Sequence, residues 1–202
     1  MAETLLIGSG NRDKARELAS LLEGLPWDVR CLKDYPSVEE PVEDGDTFEA
    51  NAIKKARFYG AHFDVACVAD DSGLSVDALQ GAPGVYSARY AGEHCSYVDN
   101  NQKLLNALAE TPRHQRLAHF CCCAAFLSRG GDIQQIVTGT VNGHIAVKPA
   151  GDGGFGYDPL FVPEGEERTF AEMAPNEKHA ISHRGRAFAQ IRHYLEEFHE
   201  AP

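Results

Sequence analysis

Between Thr4 and Ala69 the sequence alternates between short apolar runs and stretches of helical periodicity, and no other feature narrows the fold as much. Thr4-Leu5-Leu6-Ile7-Gly8 reads as a buried strand. Residues Ser9 to Asp13 turn, and a helix follows with Leu18, Leu21 and Leu22 on one face before Gly24 and Pro26 stop it. Asp28 to Leu32 makes a second strand. Asp46 with Glu49 three residues later has the form of a capping box with Asp46 at the N-cap. The helix it starts is expected to reach about Tyr59, with Ala52, Ile53 and Ala56 inward. Val65 to Ala69 is a third strand that ends in Asp70-Asp71-Ser72-Gly73. Beyond it come a turn at Gly81-Ala82-Pro83-Gly84, a helix from Val98 to Ala109, and a long strand from Leu117 to Leu127. A hairpin turn at Gly130-Gly131-Asp132 leads into a returning strand from Ile133 to Val141. Phe188, Ile191, Leu195 and Phe198 recur at helical spacing, so an amphipathic helix closes the chain. The order predicts an α/β fold around a mixed sheet. With no internal repeat and no linker, residues 1–202 read as a single domain.

The formal charge of -11 argues against a protein that wraps nucleic acid, which usually carries a basic surface. Phosphate binding on such a chain must be local, through a basic pocket, a helix start or a metal. The six cysteines include the run Cys121-Cys122-Cys123 but no C-x-x-C, so buried free thiols in a reducing compartment are expected. Leu5-Leu6-Ile7 is too short for a signal peptide, and no run approaches the ~18 apolar residues of a membrane span. A cytoplasmic protein is therefore expected.

Four segments carry chemistry, and each has a bland reading beside the functional one. Gly8-Ser9-Gly10-Asn11-Arg12-Asp13-Lys14 follows a strand and opens a helix, where unpaired amides and the helix dipole favour an anion. It matches neither the P-loop nor the dinucleotide fingerprint, and it also reads as an ordinary strand-to-helix turn. Asp70 and Asp71 end an apolar strand, where α/β sheets bind ligands. On an extended chain they point to opposite sides, and carboxylate oxygens suit Mg²⁺. The bland alternative is a turn cap beside a solvated carboxylate. In Gly153-Gly154-Phe155-Gly156-Tyr157-Asp158 the glycines allow close approach to a flat ligand, the rings can stack on a base, and Asp158 can accept from a base N–H. The same segment also suits a tight turn with core aromatics. Lys178, His183 and Arg184 gather near a helix start, and Arg offers planar contacts to phosphate or a carbonyl edge. Singly they read as surface charges and a satisfied histidine. His62, His94, His114, His119 and His199 show no metal-ligand spacing.

Together these segments resemble the inosine/xanthosine triphosphate pyrophosphatase family over essentially the whole chain. The carriers, in order, are Ser9 to Lys14, Thr47-Phe48-Glu49-Ala50-Asn51-Ala52, Ala69 to Leu74, Gly81 to Tyr90, Gly153 to Pro159, and Ser182-His183-Arg184-Gly185. The resemblance implies Mg²⁺-dependent hydrolysis of ITP, dITP and XTP to the monophosphate and pyrophosphate. It also implies a homodimer, and an elongated mixed sheet in two lobes with the active cleft between them. It assigns the phosphates to Ser9, Gly10, Asn11, Arg12, Asp13 and Lys14. Asp71 becomes the acid that binds Mg²⁺ and accepts a proton from water, with Ser72 beside it. Phe155, Gly156, Tyr157, Asp158, Lys178, His183 and Arg184 line the base and sugar pocket. The second metal carboxylate lies in the acidic loop, with Glu43 the first choice and Glu40 the next; Ser37 stands where some members carry a glutamate. A pyrophosphatase for a modified pyrimidine nucleotide and a nucleotide-binding regulator are the rival readings.

Overall fold

The structure is a computed structural model that describes residues 2–198; His199 lies outside them. Its strands are β1 (Glu3–Ile7), β2 (Trp27–Cys31), β3 (Ala66–Val76), β4 (Leu117–Leu127), β5 (Ile133–Ile145) and β6 (Phe161–Pro163). They form one sheet in the order β2-β1-β3-β4-β5-β6. β1 runs parallel to β2 and to β3, while β5 and β6 are antiparallel, so the sheet is mixed as the element order predicts. The helices are α1 (Arg12–Leu21), α2 (Phe48–Phe63), α3 (Tyr97–Ala107), α4 (Pro175–Ile181) and α5 (His183–Glu197). Among the described residues no helix is long and apolar enough to cross a membrane.

The chain divides into two compact units, the first comprising Met1–Asp71, Cys122–Gly139 and Arg184–Pro202 and the second Ser72–Cys121 and Thr140–His183. In the first unit, Leu5, Ile7 and Val68 pack with Phe126 of β4 against Leu18 of α1 and Phe188, Ile191 and Leu195 of α5. This is the closing helix that the spacing of its apolar residues predicts. On the other face, Ala52 and Ala56 of α2 meet Ala69, Ala125 and Leu127, and Tyr59 covers Leu6 and Cys67. Small residues set the close approach of α2: a Cβ at Gly60 would overlap the Leu127 side chain. The second unit has its own core, with Leu74 and Val76 of β3, Phe120 of β4, Ile145 of β5, Leu104 of α3, Phe161 and Phe170.

Among the boundaries that differ from the sequence expectation, three concern α2 and β3. Thr47, not Asp46, caps α2, its hydroxyl accepting from the Ala50 amide at 3.1 Å while its backbone stays extended. α2 then continues past Tyr59 to Phe63, where Asp64 takes a left-handed conformation with φ 52° and ends it. β3 does not stop at the aspartates but runs through them to Val76. Leu74 and Val76 extend the apolar alternation, and both carboxylates have cationic partners, so nothing breaks the strand.

Side-chain alternation along β3 follows the two-residue period of a strand. Ala66 and Val68 face the α1/α5 layer, and Cys67 and Ala69 face α2. Asp70 and Asp71 inherit those two directions. The α1/α5 layer depends on Phe188, which is fully buried. Phe188→Ala is expected to cost about 3–5 kcal/mol, read as a lower urea midpoint; an unchanged midpoint would contradict this packing.

Candidate functional site

In the first unit the chain leaves β1 held to β3 by the Gly8 amide, which donates to the Val68 carbonyl at 2.8 Å. Ser9 is buried and Gly10 exposed. Asn11 is the N-cap of α1: its side-chain oxygen accepts from the Asp13 amide at 3.0 Å and the Lys14 amide at 3.1 Å. Two amides that the sequence offered to an anion are therefore used within the helix. Cationic side chains and the helix dipole remain as the attraction for phosphate. The exposed Asp13 carboxylate accepts from Arg16 at 3.1 Å, and Arg12 is exposed.

Lys14 reaches inward, its Nζ 3.6 Å from Oδ2 of Asp70, which is 1% exposed. Arg184, at the start of α5, brings its Nε to 3.6 Å from the same oxygen and donates through Nη1 to Glu17 at 2.9 Å. Asp70 is thus a buried anion shared by a lysine from α1 and an arginine from α5. An isolated carboxylate there would carry a desolvation cost of several kcal/mol, which two cations offset.

Asp71, 5% exposed, points to the α2 face. Its Oδ2 accepts from Asn51 Nδ2 at 2.9 Å, and its Oδ1 lies 3.6 Å from Lys55 Nζ. Lys55 also donates to Glu43 Oε1 at 2.5 Å. Asn51 accepts from the Gly45 amide at 2.8 Å, so one asparagine ties the acidic loop to β3. Burial pushes the Asp71 carboxyl above the ordinary aspartate range; Lys55 and Lys14 pull it down, and Glu43 pushes it up. Burial works against the Lys55 charge, but Asp71, Asp70 and Glu43 outweigh it and raise its pKa, so it stays a cation.

The two candidate metal carboxylates therefore converge on one ammonium. That is the arrangement of two hard oxygen donors within reach of a single cation, and it fits Mg²⁺, which takes one or two carboxylates and completes its shell from phosphates and water. Among the described residues no group of three His, Cys, Asp or Glu side chains is placed to hold a metal by itself. Glu40, the other loop candidate, is exposed and sits against Gly10, where an added Cβ would overlap its carboxylate.

In the second unit, Ser72 follows Asp71 on β3 and is half-buried. Gly154 and Gly156 have φ 67° and 64°, backbone that a larger side chain would strain. Asp158 Oδ2 accepts from the Phe155 amide at 2.9 Å and from Lys178 Nζ at 2.7 Å. Both charged groups are buried, at 3% and 4% exposure. The Lys178 ammonium also lies 5.0 Å from the centre of the Phe155 ring. Asp158 therefore fixes the loop and the lysine. Tyr157 is a core residue whose hydroxyl donates to the Ser87 carbonyl at 3.0 Å, which leaves the half-buried Phe155 as the exposed ring of the pair. Asn101 of α3 donates to the Gly156 carbonyl at 2.9 Å, and Tyr97, one turn earlier, lies 6.0 Å from Phe155. His183 is stacked on Phe120 at 4.6 Å and is 1% exposed.

Sequence reading missed Lys55, Glu17 and Asn101, and gave Asn51 no role. A signal existed for two of them. Asn51 and Lys55 share the helical face of Ala52, Ala56 and Tyr59, and a lysine on an otherwise apolar inward face asks for an anion.

A protein-family model described as the Ham1 family matches residues 5–194. A dITP/XTP pyrophosphatase of Geobacter sulfurreducens is 47% identical over 95% of this chain and 96% of its own. Another dITP/XTP pyrophosphatase, from Streptomyces coelicolor, is 45% identical over 93% of this chain and 94% of its own. Among solved structures, a HAM1 protein from Coxiella burnetii superposes with a TM-score of 0.84 at 39% identity, covering 98% of this chain and all of its own. A nucleoside-triphosphatase / dITP/XTP pyrophosphatase from Mycobacterium abscessus gives a TM-score of 0.74 at 46% identity, covering 93% and 98%.

The burial of Asp71 has a direct test in the metal-free protein. Its carboxyl is expected to titrate above the ordinary value of about 3.9 when followed by carbon NMR. Asn51→Ala removes a donor that favours the ionised form, so the pKa should rise further. A value at or below the ordinary one would contradict the geometry.

Proposed function

The chain belongs to the Ham1 family, and from that membership we propose that it hydrolyses ITP, dITP and XTP to the nucleoside monophosphate and pyrophosphate. One observation carries the reading furthest: a buried carboxylate with a raised pKa, Asp71, converges with Glu43 on Lys55. Asp71 and Glu43 are the residues that would hold Mg²⁺. When bound, the ion supplies charge stabilisation at the phosphate oxygens.

The remaining chemistry belongs to the protein. Asp71 accepts the proton of the water that attacks the α-phosphorus. Asn51 fixes the orientation of that carboxylate. Lys55 lies beside Asp71 and adds positive charge where the phosphate oxygens gain negative charge. Lys14, held in place by Asp70, neutralises the leaving pyrophosphate together with Arg12 and the start of α1. The protein contributes positioning and electrostatic stabilisation, its main roles in phosphoryl transfer.

The base falls to residues of the second unit. Phe155 presents a ring for stacking, and Lys178, oriented by Asp158, donates toward a 6-oxo group. ATP carries a 6-amino group at that place, and a mismatch between buried polar groups of this kind rejects a substrate by roughly 10⁴-fold. The proposal extends to a homodimer acting on the cytoplasmic nucleotide pool; both rest on the family resemblance.

Two measurements test the reading. Across ITP, XTP, GTP, ATP and dUTP, the protein is expected to release pyrophosphate, with ITP and XTP far ahead of ATP. Orthophosphate as the product, or, with dITP added to the panel, a preference for dUTP over dITP, would reject it. Asp71→Asn is expected to lose most of kcat while circular dichroism stays unchanged. Near-normal turnover by that variant would remove Asp71 from the mechanism.

A further inference from the structure

The first unit carries a cavity of about 780 Å³, and the chemistry above uses only its end at Ser9, Gly10 and Arg12. It opens beside Ser9 and Gly10 and extends along the outer side of α1 to the segment that follows β2. Three cations line it: Arg12 and Arg16, one helical turn apart on α1, and Lys33 on the facing segment. Glu40 is the one carboxylate in the lining. Asp13, outside the lining, pairs with Arg16, so cations still outnumber carboxylates at this wall on a chain whose formal charge is -11. That is what an acidic protein needs to draw in an anion at close range.

The rest of the wall is apolar or aromatic. Leu32, Val38 and Pro36 contribute to it, as does Tyr35, whose ring is held by Phe63 at 4.6 Å. The volume lies in the range of small-molecule sites and far exceeds that of a bare phosphate. Arg16 is bound only to Asp13, in an exposed pair with the arginine side chain at 80% exposure. Such pairs are weak and exchange readily for a better anion. Lys33 is exposed.

We infer that this cavity is a second seat for a phosphate-bearing small anion of up to nucleotide size, overlapping the phosphate-binding segment at Ser9, Gly10 and Arg12. The phosphate lies against Arg12, Arg16 and Lys33, and an organic body, where present, lies against Tyr35, Leu32 and Val38. The overlap makes its occupant a competitor of the substrate, a consequence that rests on the proposed function; the binding itself does not.

Two probes separate the sources of the anion. Inorganic pyrophosphate offers phosphate alone. AMP adds an aromatic body, and its 6-amino group is mismatched to the base pocket described above. Calorimetry on the full chain is compared between the wild type, Arg16→Ala/Lys33→Ala and the single charge reversal Lys33→Glu. At least one probe is expected to bind the wild type and to lose fivefold or more in affinity in both variants. In turnover assays that probe should inhibit competitively, with the inhibition relieved in the variants, while kcat and KM without added anion stay within twofold. Tighter binding of AMP than of pyrophosphate assigns the apolar wall to an organic body; the reverse assigns the seat to free phosphate chemistry. Unchanged affinity for both probes overturns the inference. So does loss of basal turnover in the variants, because the cations would then belong to the substrate's own site. Absence of turnover in the wild type would reject the proposed function and leave the calorimetric result standing.

Discussion

The fold around the candidate site is organised by two adjacent carboxylates in the middle of an apolar strand. Asp70 and Asp71 are both buried, and a buried ion without partners is among the most expensive features a fold can hold. The period of the strand sends the two to opposite faces, so each finds its nearest partners on its own side. The structure answers with separate partners: Lys14 and Arg184 for Asp70, Asn51 and Lys55 for Asp71. The position of α1, the docking of α5 and the tethering of the acidic loop all serve that requirement.

The two aspartates consequently do different work. Asp70 is the more deeply buried and acts as an anchor that holds two cations in place. Asp71 keeps a raised pKa because burial outweighs its neighbours. In the metal-free protein that carboxyl is costly to ionise, so its burial weighs on stability. The second unit repeats the anchoring logic with a single pair. Asp158 holds Lys178 at 2.7 Å and, through the Phe155 amide, the glycine turn that carries the ring.

Much of this was legible in the residues. The alternation of apolar runs with helical periodicity predicted the mixed α/β sheet, and the spacing of Phe188, Ile191 and Leu195 predicted the closing helix. The opposite directions of Asp70 and Asp71 followed from strand geometry alone. What escaped were roles decided by tertiary partners. Asn11 looked like a ligand group and is a helix cap, because its two nearest donors are its own helix's amides. Asp158 was read as an acceptor for a base, and its Oδ2 also holds a lysine twenty residues away in sequence. Lys55 was legible only from the apolar helical face it shares with Ala52 and Ala56; its neighbour Lys54 pairs with exposed Asp44 while Lys55 faces Asp71. The strand end was misplaced because charge was read as a stop signal, whereas paired charge permits the strand to continue.

The central claim is that Asp71 and Glu43 share a divalent ion placed against the triphosphate. It is tested most directly by a crystal structure of the full chain with Mg²⁺ and a dITP analogue whose α–β link resists hydrolysis. The account predicts the ion on the Asp71 carboxylate, Glu43 turned toward it from Lys55, and phosphate oxygens near Lys14. An ion bound elsewhere, with the triphosphate away from residues 9–14, would contradict it.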